Sequence, residues 1–135
     1  MSETIHEGGC LCGQVRWAAT APPANVRVCH CRLCQKATGG PFFARAIFLA
    51  DTIRWSGEVT RWPTSPRIDR LACARCGTPM FAEPKDPPAR LGVSLATLDE
   101  PDAIAPTVHI WTSRKLDWLT LDDGLPQHAE GFVSG

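Results

Sequence analysis

The sequence predicts a single β-rich domain, in which many short strands pair into small antiparallel sheets. Three observations lead to this prediction. The chain of 135 residues has the length of one domain. Its 12 prolines and 11 glycines interrupt regular backbone often, which disfavours long helices. Between these residues lie short segments with alternating apolar residues, as is typical of strands.

The expected elements follow one another at short intervals. In chain order, the expected strands are 14–18, 26–29, 44–49, 52–55, 58–62, 68–72, 90–95 and 107–111. Ser56-Gly57 between the fourth and fifth strands predicts a hairpin turn. One short helix is expected at 32–38, ended by Gly39-Gly40-Pro41. Loops are expected at 85–88 and 99–102.

Composition and charge exclude several classes of protein. The chain is 44% hydrophobic and 21% charged, a balance typical of globular proteins and not of disordered ones. Its 14 Lys and Arg residues cancel 14 Asp and Glu residues, so no net positive field is available to bind nucleic acid. No apolar stretch predicts a secretory signal or a membrane span. We therefore expect a cytoplasmic, reducing location, where clustered cysteines bind metal more often than they form disulfides.

Seven cysteines form three groups by their spacing. Each group is a short run of closely spaced thiols: Cys10 and Cys12, then Cys29, Cys31 and Cys34, then Cys73 and Cys76. Zinc favours tetrahedral thiolate sites, and the two pairs together supply four ligands. The triplet supplies three, and three protein ligands leave one position open, as in catalytic zinc sites. The spacing thus predicts two zinc ions, one structural and one open.

The spacing leaves other arrangements possible. Seven thiols can be grouped differently, and a histidine would turn the triplet into a closed structural site. The candidate histidines are His6, His30, His109 and His128. A thioredoxin-like redox pair is disfavoured, because no βαβ pattern surrounds either C-x-x-C.

Four segments resemble the glutathione-dependent formaldehyde-activating enzyme family, which also includes centromere protein V. The segments are 8–16 (GGCLCGQVR), 29–36 with 39–42 (CHCRLCQK and GGPF), 73–81 (CARCGTPMF), and 109–111 with Lys115, Trp118 and 123–126. They span almost the whole chain in the family's order.

The resemblance implies a mainly β, zinc-containing fold of several small coiled sheets, spanning 1–135 as a single domain. It implies a structural zinc on Cys10, Cys12, Cys73 and Cys76, and a second, more labile zinc on Cys29, Cys31 and Cys34. In the founding enzyme the reaction joins glutathione to formaldehyde, giving S-hydroxymethylglutathione. The family activity is classed as a carbon–sulfur lyase, with a small-molecule thiol and an aldehyde as substrates.

Further site residues are expected around the triplet. His30 lies between two ligands, so its side chain is a candidate proton carrier or donor to a ligand sulfur, or has a packing role. His109 is expected in the core, or hydrogen-bonded near the zinc. Lys115 is a candidate for holding a substrate carboxylate, or else a surface lysine. Gly39 and Gly40 permit close approach of a ligand to the backbone, or form a plain turn.

Two functions of different classes fit these features. The first is an enzyme that adds a thiol to a small aldehyde, or reverses that addition, at the three-cysteine zinc. The second is a non-catalytic zinc-binding module whose loops dock a protein partner. Metal storage is disfavoured, because the ligand sets are discrete and do not form a tract.

Overall fold

The computed structural model describes residues 3–85 and 89–131, and ten strands and one α-helix are assigned within them. Loop positions 86–88 lie outside the described residues. The strands are β1 (His6–Gly9), β2 (Arg16–Ala19), β3 (Asn25–Cys29), β4 (Phe43–Leu49), β5 (Ile53–Ser56), β6 (Val59–Ser65), β7 (Ile68–Cys73), β8 (Pro79–Pro84), β9 (Arg90–Ser94) and β10 (Val108–Ile110). The helix α1 covers Arg32–Thr38. Short 3₁₀ turns lie at Ala50–Thr52, Leu95–Thr97 and Thr112–Arg114.

The strands form two sheets, so the mainly β prediction is confirmed. The small sheet has the order β1-β2-β5, and the large sheet has the order β10-β3-β4-β9-β8-β7-β6. All pairs are antiparallel except β10 with β3, which is parallel. This parallel pair brings the C-terminal part of the chain alongside the end of β3, where the cysteine triplet begins.

The main core lies between the two sheets. Trp17 of β2 packs on Phe48 of β4 with ring centroids 5.9 Å apart, and Trp55 of β5 packs on Phe81 of β8 at 5.0 Å. Phe48 and Phe81 are almost fully buried. Burial of large aromatic rings from both sheets supplies the main attraction between them.

A smaller apolar cluster lies on the opposite face of the large sheet. It contains Cys29, Cys34, Phe43, Ala82, Val108 and Ile110. Side chains alternate between the faces of a strand, so Phe43 and Phe48 of the same strand enter different clusters. The second cluster is the floor of the site described below.

The predicted hairpin at Ser56-Gly57 is wrong. β5 pairs with β2 in the small sheet, whereas β6 pairs with β7 in the large sheet, so Gly57 is a corner between sheets. Gln14 fixes this corner, because its side chain accepts from the Glu58 backbone N–H at 3.0 Å and donates to the Glu58 carbonyl at 2.6 Å. A turn motif in the sequence predicts only that the chain changes direction. The contact between Gln14 and Glu58 determines which strand β6 pairs with.

Two strands were missed, β1 and β8. β1 contains Gly8 and Gly9 and carries no apolar alternation, yet a Cβ at Gly8 would lie 2.1 Å from the Thr97 carbonyl oxygen. The glycine therefore allows a close approach of two backbones, which local pattern does not reveal. β8 begins and ends with proline, which obscures its strand character. No helix in the described part of the chain is long and apolar enough to cross a membrane.

Substitution of Gly57 tests the corner between the sheets. Gly57 has φ 113°, and a Cβ there would lie 2.4 Å from the Gln14 carbonyl oxygen. We expect Gly57→Ala to lower the free energy of unfolding by about 3 kcal/mol or more, from clash and backbone strain together. Urea denaturation measures this difference.

Gly124→Ala is the matched control. Gly124 also has positive φ, at 74°, but a Cβ there meets nothing within 4 Å. Only the cost of the left-handed conformation remains, about 1–2 kcal/mol. Equal losses in the two variants would show that the close contact at Gly57 has no structural importance.

Candidate metal centres

The seven cysteines form two clusters in the structure, with the predicted membership. In the first, the Sγ atoms of Cys10, Cys12, Cys73 and Cys76 all lie within 4.8 Å of one another. In the second, the same holds for Cys29, Cys31 and Cys34. All seven thiols are free, without a disulfide. Both clusters could hold a metal ion.

The sulfur spacing of the four-cysteine cluster fits zinc. Cys10 and Cys12 Sγ lie 3.6 Å apart, and Cys12 and Cys73 Sγ lie 3.8 Å apart. A tetrahedral zinc with Zn–S bonds of about 2.3 Å places its sulfurs about 3.8 Å apart. The donor set and its spacing are therefore consistent with zinc.

The chain wraps the four-cysteine cluster with backbone donors. The Val15 N–H donates to Cys10 Sγ at 3.3 Å, and the Arg75 and Cys76 N–H groups donate to Cys73 Sγ at 3.3 and 3.4 Å. The Gln14 amide donates to the same Cys73 sulfur at 3.2 Å. Such donors stabilise thiolate charge, so the cluster suits a cation.

Helix α1 positions the three-cysteine cluster. Cys31 is its N-cap, and the Cys31 sulfur accepts the Cys34 N–H at 3.3 Å. The helix covers 32–38 as predicted and ends at Gly39, whose φ of 73° gives a left-handed C-cap. Cys29 ends strand β3, so one strand end and one helical turn bring the three sulfurs together.

Positive charge surrounds the three sulfurs. Arg70, which is 6% exposed, donates from Nη2 to Cys34 Sγ at 3.1 Å. Hydrogen bonds from the Cys29 and Cys31 thiols, then the charges of Arg45 and Arg70, hold the pKa of Cys34 far below its usual range. The same sulfur contacts, together with burial, raise the pKa of Cys29. The surroundings of Cys34 thus favour its thiolate form.

An open cavity of about 520 Å³ lies against this cluster. Its lining includes all three cysteines, with Leu33 and Trp111 as apolar walls and Arg45, Arg70 and Arg114 as cationic ones. Trp111 has φ 56°, the one positive value at a non-glycine residue among those described. Backbone strain of this kind is found at functional sites, and here it sets the angle of the cavity wall.

Gln35 connects two backbone segments beside this cavity, and it was not predicted as a site residue. It is 5% exposed, and its amide donates to the His30 carbonyl at 2.8 Å and to the Arg114 carbonyl at 3.0 Å. Arg32 donates to the Gln35 side-chain oxygen. Its position could have indicated a role, because it is a polar residue on the short predicted helix beside three cysteines.

Neither His30 nor His109 joins a cysteine cluster, and no histidine among the described residues belongs to either group. Both rings are buried. They bond to each other, with His30 Nε2 2.9 Å from His109 Nδ1, and His109 Nε2 donates to Asp123 Oδ2 at 2.7 Å. Asp123 is half-exposed, and sequence reasoning gave it no role.

The protonation states of the hydrogen-bonded series His30, His109 and Asp123 follow from the surroundings of its first and last members. The His109 hydrogen bond, then the Leu125 N–H, lower the pKa of Asp123, so this carboxylate is ionised and accepts a hydrogen bond from His109 Nε2. Burial, with the charges of His109 and Lys115, lowers the pKa of His30 to about 4. His30 is therefore neutral at pH 7, and its Nδ1 is buried with no partner among the described residues.

Three further predicted site residues, Gly39, Gly40 and Lys115, are not among the described residues that line the cavity. The Lys115 ammonium donates to the carbonyls of Leu119 at 2.6 Å and Leu116 at 3.2 Å, so it fixes the loop that follows Arg114. Gly39 and Gly40 end α1, and a Cβ at either would meet no atom closer than 3.6 Å. The structure shows a turn there.

Comparison with known proteins gives two findings. The family model described as glutathione-dependent formaldehyde-activating enzyme matches residues 5–114. Among solved structures, the chain is similar to the crystal structure of a Rhodobacter sphaeroides protein, with 21% sequence identity and a TM-score of 0.57. That alignment covers 74% of this chain and 91% of the other. At this identity, the similarity concerns the fold.

Removal of His109 tests its link to His30. His109→Leu leaves His30 Nε2 buried without its partner, so we expect a loss of about 1–3 kcal/mol in the free energy of unfolding. Asp123→Asn keeps an acceptor for His109 at an exposed position, so a loss below about 1 kcal/mol is expected. Urea denaturation measures the free energy of unfolding of both variants. Equal stability of the two variants would contradict a structural role for the buried pair.

Proposed function

Because the chain belongs to the glutathione-dependent formaldehyde-activating enzyme family, we propose that it joins a thiol such as glutathione to a small aldehyde such as formaldehyde, or reverses that reaction. The proposed site is a zinc ion held by Cys29, Cys31 and Cys34. Its class is carbon–sulfur lyase, and a reducing, cytoplasmic location suits a protein with seven free thiols. The second proposed zinc, on Cys10, Cys12, Cys73 and Cys76, is structural.

One observation carries this proposal: a three-thiol cluster lines an open cavity, whereas the four-thiol cluster is complete in itself. Four cysteines satisfy the tetrahedral coordination of zinc, and three leave one position for a ligand. The cavity of about 520 Å³ gives a small molecule access to that position. A non-catalytic module, in which zinc only stabilises loops, requires neither an incomplete ligand set nor a cavity beside it.

Cys29, Cys31 and Cys34 would hold a zinc ion, which would act as a Lewis acid and favour the thiolate form of an incoming thiol. Arg70 supports the cluster by donating to Cys34 Sγ at 3.1 Å and is held in turn by Thr64 Oγ1 at 3.4 Å from its Nε. The side chains of Leu33 and Trp111 give the cavity an apolar wall. Binding of both reactants in the cavity would hold them close together, which lowers the entropic part of the barrier.

The proposed reaction balances without an external oxidant or reductant. The thiol sulfur forms a bond to the aldehyde carbon, and the π electron pair of the carbonyl moves to its oxygen. The proton lost by the thiol ends on that oxygen, which gives a hydroxymethyl thioether. The reverse reaction breaks the same C–S bond and returns the proton to sulfur.

Metal analysis tests the two centres. We expect two zinc ions per chain in the wild-type protein and one in Cys31→Ser, which keeps its fold. Cys76→Ser is expected to unfold the protein, because a structural zinc contributes on the order of 10 kcal/mol to the folding of small domains. Circular dichroism reports the fold. Unfolding of Cys31→Ser would make the triplet structural and contradict the open centre.

The activity is tested by NMR exchange measurements with glutathione and ¹³C-formaldehyde. We expect the zinc-loaded wild-type protein to accelerate formation of S-hydroxymethylglutathione over the spontaneous reaction. Cys31→Ser is expected to return the rate to that background, and Lys36→Gln, an exposed change on the same helix, to leave it unaltered. A wild-type protein with two zinc ions and no rate above background would contradict the proposal.

A further inference from the structure

His30 joins the first two cysteines of the triplet, and it is held through its backbone as well as through its ring. Its N–H donates to the Ile110 carbonyl at 3.1 Å, and its carbonyl accepts from the Gln35 amide at 2.8 Å. Its ring Nε2 lies 2.9 Å from His109 Nδ1. Ile110 and His109 both belong to β10. This strand therefore contacts both the backbone and the ring of the residue that links two of the clustered thiols.

The hydrogen bond to His109 is the polar contact that orients the His30 ring. The ring is fully buried, and its Nδ1 has no hydrogen-bond partner within the described ranges 3–85 and 89–131. Phe42 packs against the same ring in an edge-on arrangement, with ring centroids 5.5 Å apart. An apolar contact of this kind fills space beside the imidazole but does not fix which nitrogen faces which partner. That direction depends on the bond to His109.

Asp123 sets the direction of the hydrogen bonds in this series. An ionised carboxylate can only accept, so His109 Nε2 carries the hydrogen of the 2.7 Å bond between them. A neutral imidazole has one N–H, and His109 Nδ1 is then an acceptor, to which His30 Nε2 donates. The orientation of two buried rings is thus determined from Asp123, which is half-exposed.

The backbone around His109 holds this residue on both sides. In the parallel pairing of β10 with β3, His109 lies opposite Val28. On its other side, its N–H donates to the Pro126 carbonyl at 2.9 Å, and its carbonyl accepts from the His128 N–H at 2.9 Å. Its ring is buried. His109 is therefore a fixed point to which the His30 ring is attached.

We propose that His109 is a positioning residue for the three-cysteine centre and that Asp123 orients it. Both act through His30, because the backbone of His30 sets the directions of the two thiols bonded to its neighbouring residues. Removal of the groups that orient metal ligands weakens metal binding by about ten- to a hundredfold. This inference rests on the proposed function, since it assumes that the triplet binds zinc.

Zinc release from the two-zinc protein to a colorimetric chelator of known affinity measures both centres in one experiment. The release step that Cys31→Ser lacks belongs to the triplet, and the four-cysteine cluster is the internal reference. We expect His109→Leu, which removes the acceptor of His30 Nε2, to weaken zinc binding at the triplet by about tenfold or more and to leave the other step unchanged. A merely structural role of His109 would weaken both steps or neither.

His109→Asn is the matched rescue variant. Asparagine Oδ1 and histidine Nδ1 are both bonded to Cγ, so the amide oxygen supplies an acceptor at the same place. We expect this variant to bind zinc at the triplet within about threefold of the wild type. Cobalt exchanged into the triplet gives a spectroscopic readout: its sulfur-to-metal charge-transfer band should persist in His109→Asn and weaken in His109→Leu. Equal affinity of the two variants would overturn the role of His109.

Asp123→Ala and Asp122→Ala test the second residue, and they keep the experiment decisive if His109→Leu does not fold. Both aspartates are exposed in one loop, and either loss changes the net charge equally. We expect Asp123→Ala to weaken the triplet by about threefold, because water replaces part of the lost contact, and Asp122→Ala to have no effect. Equal affinity of this pair would overturn the role of Asp123 and leave the proposed function intact. A wild-type protein that binds only one zinc ion would overturn the proposed function and this inference together.

Discussion

Alternation of side chains across the large sheet is the constraint on which both cysteine clusters depend. Cys73 ends β7 on the face that packs against the small sheet, and Cys29 ends β3 on the opposite face. Because neighbouring positions of a strand point to opposite faces, a register slip of one residue would exchange these faces. The sheet therefore keeps Cys73 on the face that meets the small sheet and Cys29 on the face that carries the cavity.

The four-cysteine cluster joins parts of the chain that are distant in sequence. Cys10 and Cys12 follow β1 of the small sheet, whereas Cys73 and Cys76 follow β7 of the large one. Gln14 strengthens this connection, since it bonds both to Cys73 Sγ and to the backbone of Glu58 at the corner between the sheets. A metal ion bound by this cluster would therefore couple metal binding to folding.

The three-cysteine cluster has a different environment. Its Cys34 sulfur accepts a hydrogen bond from Arg70, which has little access to water. Buried charges of opposite sign offset each other's desolvation only when they are close and hydrogen-bonded, as these are. Arg32, Arg45 and Arg114 also line the cavity beside this cluster.

The three cysteine groups were evident from the sequence, because thiols of one group lie close together along the chain. Counting zinc ligands then joined the two pairs into one cluster, as the structure has them. It predicted helix α1 correctly, from the Gly39-Gly40-Pro41 stop. The Gly57 corner was missed, because the Gln14 contact that decides it spans 44 residues. Arg45 and Arg70 were missed for a related reason: only the strand register shows that they share a face with Cys29.

X-ray absorption at the zinc edge tests most directly whether the triplet is an open centre. Seven cysteine sulfurs shared by two zinc ions give an average of about 3.5 sulfur neighbours per ion. Addition of glutathione is expected to raise this average to about 4, as a thiol sulfur fills the open position. An average that stays at about 3.5 in excess glutathione would contradict thiol binding at the triplet and with it the central claim.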